Sequence, residues 1–287
     1  MEVRFSSTFY WQEGVSDMDE TVENILEVKD LSFGYKNKKI LENLSFSVQP
    51  NQFVAVLGIN GAGKSTLIKC LNKIINFDSG SVKVCNKPLS DTSIMDLSKL
   101  VAYVPQSVST GFSMDVYDVI LLGRRPYIGW RIGKQDREVV QSVIMRLGLG
   151  EFIFRKFHTL SGGEQQRVII AKAIVQDPTL YLFDEPTSNL DLSSQFEILY
   201  EIKNLVLSKE KKCSALVAMH DINLAAKFAD KIMIIDDNSI YCYETPYNAL
   251  NRETISEVYG VDSDVLYPDD PKIPQINVIK PNRKDNK

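Results

Sequence analysis

The chain has 287 residues, 44% hydrophobic and 24% charged, which is enough apolar material to bury a sizeable core in one large domain or two ordinary ones. Thirty-three Lys and Arg against 37 Asp and Glu leave a net charge of −4. That balance excludes a nucleic-acid footprint spread over the whole surface, so no nucleic-acid partner is expected.

Residues 1–24 hold one base and six acids, a net of −5, and show no sustained periodicity. They read as a flexible acidic extension. They also lack the apolar core of a secretion signal, so a cytoplasmic location is expected. Two strand-like stretches follow, Ile25–Val28 and Leu31–Tyr35, then a turn at Lys36–Lys39. Leu44–Val48 alternates apolar and polar residues, as a half-buried antiparallel strand does. Phe53–Leu57 is almost continuously apolar, as in a strand covered on both faces of a parallel sheet. Further core strands are expected at Val101–Val104, Leu180–Phe183, Ala215–Ala218 and Ile232–Ile235. The alternation of strands and helical patterns marks an α/β architecture. Between Gln106 and Asp177 the pattern is helical, with Val139, Val140, Val143, Ile144 and Leu147 on one face. Residues 269–287 are rich in Pro and Lys and read as a peripheral tail. No run of about 18 apolar residues occurs, so no membrane span is expected. The four cysteines are widely spaced with no C-x-x-C pair, which argues against zinc or redox chemistry.

Gly58-Ile59-Asn60-Gly61-Ala62-Gly63-Lys64-Ser65 satisfies G-x-x-x-x-G-K-[ST], and Thr66 lies on the same turn. A buried strand precedes it and a helix follows, the context a phosphate-binding loop requires. Glycines let backbone N–H groups approach phosphate oxygens, and the helix N-terminus adds unpaired donors and partial positive charge. Lys64 can reach the β- and γ-phosphates, and the Ser65 hydroxyl can ligate Mg²⁺. In the helix, Leu67, Cys70, Leu71 and Ile74 are expected on one buried face, which makes Cys70 a core residue.

Leu180-Tyr181-Leu182-Phe183-Asp184-Glu185 is an apolar strand ending in two carboxylates, and strand ends are where open α/β sheets place ligand chemistry. Asp184 is expected to hold Mg²⁺, and Glu185 to polarise the water that attacks the γ-phosphate. Leu160-Ser161-Gly162-Gly163-Glu164-Gln165-Gln166-Arg167 contains an S-x-x-E capping box. A helix therefore starts there and ends near Asp177, because Pro178 disfavours helix at the residue before it. Capping alone leaves Gly162 and Gly163 unexplained, since each weakens a helix by about 1 kcal/mol relative to Ala. An anion approaching this helix end accounts for them.

The loop at 58–66, the LSGGEQQR segment, the LYLFDEP strand and His220, in this order, resemble the ATP-binding-cassette ATPases over roughly residues 25–260. The fold this resemblance implies is a P-loop NTPase cassette over 25–268. It has a mixed sheet core, an antiparallel β subdomain and a helical insertion at about 107–177. It assigns Tyr35 to the adenine ring, with a strand-end core tyrosine as the alternative. It assigns Gln106 to Mg²⁺, the attacking water and the transport partner, with a surface glutamine as the alternative, and His220 to the γ-phosphate. His158 has no such placement and reads as structural. Ser161, Gly162, Gly163 and Glu164, with Asp191 of the Ser188–Asp191 segment, serve ATP held by a second copy of the chain. Asn189 stands where family members often have Ala.

Leu121-Leu122-Gly123-Arg124-Arg125-Pro126-Tyr127 and His220-Asp221-Ile222-Asn223-Leu224-Ala225 resemble the ATPases of importers for iron-siderophore, haem and cobalamin. That likeness implies an integral membrane permease and, through it, a substrate-binding protein, with the chain peripheral on the inner face of the membrane. Arg124 and Arg125 also fit a solvated surface pair. An importer of molybdate or another metal species, a non-transport ATPase of the same fold and a scaffold without turnover remain alternatives. The length argues against a coiled-coil arm or a second cassette, and the occupied catalytic positions argue against the scaffold.

Overall fold

A computed structural model describes residues 24–36, 38–106, 113–188, 190–208, 212–268 and 270–282. Most of the acidic extension, Asn189 and the last five residues lie outside the described residues.

β1 (Leu26–Tyr35) and β2 (Lys38–Val48) form an antiparallel hairpin. Apolar residues pair across it, with Leu26 opposite Val48, Val28 opposite Phe46 and Leu31 opposite Leu44. The two stretches expected before the turn are one strand with register irregularities, and Lys38 and Lys39 belong to β2 rather than to the turn. β3 (Phe53–Leu57) is buried along its whole length and feeds α1 (Lys64–Leu71). β4 (Ser79–Val84), β5 (Lys87–Pro88), α2 (Ile94–Leu100) and β6 (Val101–Val104) follow.

The insertion carries α3 (Val116–Leu121), α4 (Lys134–Arg146) and α5 (Gly162–Val175), with a 3-10 turn at Leu122–Arg124. Among its described residues the one β contact is a single bridge between Asp115 and Lys156. The chain returns through β7 (Leu180–Asp184), α6 (Leu192–Leu207), β8 (Ser214–Ala218), α7 (Ile222–Phe228), β9 (Lys231–Asp236) and β10 (Ser239–Glu244). It ends with α8 (Pro246–Ala249), α9 (Arg252–Tyr259), β11 (Val261–Leu266) and β12 (Gln275–Pro281).

The central sheet runs β10-β9-β3-β8-β7-β6, parallel except for β10 at its edge. A four-stranded antiparallel sheet, β2-β1-β4-β5, forms a second layer. Alternation along β3 divides the core between the two sides of the sheet. Phe53, Ala55 and Leu57 join the apolar cluster of α5, α6 and α7, while Val54 and Val56 join α1 and the antiparallel sheet. The mixed sheet, antiparallel subdomain and helical insertion all match the expected cassette.

Three further expectations are corrected. Ile74 lies beyond the end of α1 and is exposed, because the helix stops at Leu71. The tail expected from residue 269 contains β12, which pairs with β11 and buries Ile276 in the main core. The boundary at 268 therefore cuts through a hairpin. Arg124 and Arg125 are not a solvated pair, since Arg124 is 8% exposed. Its Nε donates to Asp136 Oδ1 at 3.0 Å and one terminal nitrogen donates to the Val175 carbonyl at 2.9 Å, at the C-terminal end of α5. The preceding Gly123 explains the close crossing, because a Cβ there would sit 2.1 Å from the Lys172 carbonyl oxygen of α5.

Candidate active site

The loop between β3 and α1 is built for close approach. Gly58 adopts φ +145°, and a Cβ there would lie 2.3 Å from the Ile235 carbonyl oxygen. Gly63, at φ +106°, packs against Ile40 and Leu41 of β2. A non-glycine residue at either position is strained, and at Gly58 it also clashes with backbone. Lys64 folds back over the loop, and its Nζ donates to the carbonyls of Gly58 at 2.7 Å and Ile59 at 3.2 Å. Burial pushes the Lys64 ammonium below the ordinary lysine value, against the pull of the Glu185 and Asp184 carboxylates.

β6 and β7 are parallel neighbours in the sheet, and β7 delivers its two carboxylates beside this loop. Ser65 Oγ donates to Asp184 Oδ1 at 2.6 Å, linking α1 to the end of β7. The Tyr103 hydroxyl of β6 is pushed up to about 12, first by burial and then by the Asp184 charge. Glu185 takes a left-handed backbone, φ 52°, which costs a non-glycine residue about 1 kcal/mol or more. Its backbone N–H donates to the Ala218 carbonyl at 3.1 Å, and its carboxylate is held from two sides. Gln106 Nε2 donates to Oε2 at 2.5 Å, and His220 Nε2 contacts Oε1.

These groups converge on a cleft of about 380 Å³. Asn60, Gly61, Gly63, Lys64, Ser65, Thr66, Gln106, Glu185 and His220 line it. Gly58 and Ile59 supply the carbonyls that hold Lys64, Ala62 packs on the core beneath the loop, and Asp184 sits behind Ser65. Tyr35 is not part of the lining. Its ring is half exposed at the end of β1 and meets Phe33 edge-on at 4.8 Å. Ile40, which lines the cleft, and Tyr103, beside Asp184, belong to no motif and were not foreseen. His158 is exposed and does not line the cleft.

Ser161, Gly162, Gly163, Glu164 and Asp191 stand apart from this cleft, in a second patch. The capping box forms as expected, with Ser161 N and Oγ donating to Glu164 Oε2 at 2.7 and 2.8 Å. These bonds from Ser161, backbone first, hold the Glu164 carboxyl below the usual range. Asp191 caps α6 by accepting from Ser194 N at 3.0 Å, and a Cβ on Gly163 would lie 3.3 Å from Ser194 Oγ. The N-termini of α5 and α6 therefore lie side by side.

A phosphate-binding loop, a strand ending in two carboxylates and a separate glycine-bearing helix start define an ATPase cassette. The chain belongs to the ABC transporter family, whose model matches residues 41–188, and is an ATP-binding ATPase of that family. It is 42% identical over 239 residues to an uncharacterised ABC transporter ATP-binding protein of Methanocaldococcus jannaschii, covering 83% of this chain and 92% of the relative. It is 36% identical over 240 residues to the hemin import ATP-binding protein of Deinococcus radiodurans, covering 82% and 90%. The iron(3+)-hydroxamate import ATP-binding protein of Bacillus subtilis is 30% identical over 245 residues, covering 85% and 90%. A solved structure of a metal-chelate type ABC transporter in an inward-facing conformation superposes with TM-score 0.77 at 26% identity, over 90% of this chain and 97% of that one. No helix among the described residues is long and apolar enough to cross a membrane.

Proposed function

We propose that two copies of the chain bind Mg·ATP between them and hydrolyse it to power an importer of an iron-siderophore, haem or similar metal chelate. The observation that carries the reading is the convergence of Lys64, Ser65, Gln106, Glu185 and His220 on one cleft, with the Ser161–Glu164 helix start outside it. In this reading Lys64 leaves the Gly58 and Ile59 carbonyls for the β- and γ-phosphates. Glu185 takes the proton of the attacking water, while Gln106 orients that water. His220 donates to the γ-phosphate, and Tyr35 stacks on adenine. Ser161, Gly162 and Gly163 of the partner close over the γ-phosphate, with Glu164 holding the helix start in shape and Asp191 at the joint. Positioning and charge stabilisation then carry most of the rate.

Mg²⁺ fits the donor set. Ser65 Oγ and Asp184 Oδ1 are hard oxygens already in contact, and among the described residues no cluster of three or more His, Cys, Asp or Glu forms a protein-only cage. Mg²⁺ in nucleotide sites takes one or two protein oxygens and completes its shell with phosphates and water. When bound, it neutralises charge developing on the phosphates.

The cargo reading comes from the relatives, whose names specify hemin and iron-hydroxamate import, and from the metal-chelate transporter of similar fold. It places the chain at the inner face of a membrane, bound to a permease that receives cargo from a substrate-binding protein. Proteoliposomes holding the permease and this chain, with ATP on the cassette side and the substrate-binding protein on the opposite side, test it. ATP-dependent uptake of a ferric siderophore, haem or cobalamin is expected. ATP hydrolysis without uptake of any of the three would overturn the cargo reading.

A further inference from the structure

The C-terminal hairpin has no place in the reaction described so far, yet it is bonded to the helix that follows His220. Asn223 lies in the first turn of α7, three residues after His220. Its Oδ1 accepts from Ile276 N at 2.7 Å and its Nδ2 donates to Ile276 O at 3.1 Å. One side-chain amide thus satisfies both polar groups of one β12 peptide residue, a two-point contact that fixes orientation as well as distance. Ile276 is itself 6% exposed and belongs to the main apolar cluster, so the anchor is rooted in the core.

At the same N-terminal end of α7, the bond nearer to His220 is local to the helix. Asp221 caps the helix from within the same segment, its Oδ1 accepting from Leu224 N at 2.9 Å. Met219 is tied to the sheet through its N–H to the Val56 carbonyl at 3.0 Å. His220 therefore sits on a short span between a sheet bond at Met219 and the Asn223 clamp. Its contact with Glu185 depends on where both ends of that span are held.

We propose that Asn223 is a positioning residue for His220, and that β12 supplies the fixed point against which His220 is aligned. This rests on the reading of His220 as the γ-phosphate contact. The second anchor of the hairpin serves as a comparison. Asn282 Nδ2 donates to Ser256 Oγ at 2.7 Å, tying the end of β12 to α9 and not to α7.

Steady-state ATP turnover of the full chain tests the assignment. Asn223→Ala is expected to lower kcat about tenfold while KM for ATP changes less than about twofold, because the phosphate loop is untouched. Asn282→Ala is expected to lower the melting temperature and leave kcat within about twofold. In a His220→Ala background, Asn223→Ala should reduce kcat less than about twofold further, since it acts through the missing side chain. Where Asn223→Ala does not fold, Asn223→Asp, which keeps the acceptor for Ile276 N–H, takes its place with the same expectations. Unchanged kcat in the Asn223 variant, an equal loss in Asn282→Ala, or full multiplication of the two defects overturns the proposal. If His220→Ala alone keeps normal turnover, the reading of His220 fails first, and this inference falls with it. A turnover defect in His220→Ala with none in Asn223→Ala overturns the inference alone.

Discussion

Gln106 Nε2 lies 2.5 Å from Glu185 Oε2, so the residue just before the helical insertion holds the carboxylate that follows β7. The two are 79 positions apart in sequence, and the parallel pairing of β6 with β7 brings them together. With His220 on the other carboxylate oxygen, Glu185 is held at both of its oxygens.

That arrangement makes Glu185 the residue whose loss should separate binding from turnover. Glu185→Gln keeps the shape and loses the base, so turnover should fall about 10²- to 10⁴-fold. ATP binding should survive and leave a nucleotide-trapped dimer, visible by size-exclusion chromatography with light scattering. Normal turnover would remove Glu185 from its role.

The separation of the Ser161–Glu164 patch from the cleft yields a complementation test. Ser161→Arg chains and Glu185→Gln chains should each be inactive alone. A mixed dimer contains one composite site with wild-type Glu185 from one chain and wild-type Ser161 from the other. Mixing should therefore restore measurable ATP turnover. A mixture as inactive as its parents would contradict the shared site.

Burial lowers the Lys64 value, so in the free protein its ammonium loses its proton at a lower pH than an ordinary lysine. Phosphate oxygens favour the charged form and raise that value again. ATP binding must then take up protons at alkaline pH, and affinity should fall as pH rises through the free-state value. Titration calorimetry in buffers of different ionisation enthalpy measures this uptake directly. Lys64→Ala should abolish the uptake along with most of the affinity.

Two adjacent arginines should behave differently. Arg124→Ala strips the Asp136 carboxylate and the Val175 carbonyl of their buried partner, a loss of about 3–5 kcal/mol. Arg125 is exposed, and Arg125→Ala should stay within about 0.5 kcal/mol. Chemical denaturation of the two variants separates them.

The parts of the site that were legible in the sequence are those whose geometry is local. The 58–66 loop, the Ser161–Glu164 cap and the Asp184-Glu185 strand end each fold within about ten residues, so spacing alone reveals them. Ile40, Tyr103 and the Asn223–Ile276 clamp were not legible, because each matters through a partner brought close by the fold. The amide of Asn223 meets a strand 53 residues away, a pairing that the His220–Ala225 segment does not itself reveal. Arg124 looked like a surface charge because its partners, Asp136 and the last turn of α5, are set by how the helices of the insertion cross. Composition points to a peripheral tail at 269–287, since Pro and Lys are common there. The alternation around Ile276 was too short to outweigh them.

The Ser161–Glu164 patch does not line the cleft of its own chain, which bears on the reaction order. If each patch completes a neighbour's cleft, dilution itself acts as an inhibitor. Specific activity should climb with protein concentration until the chains pair, and tethering two copies to one permease would hold them permanently on the plateau of that curve.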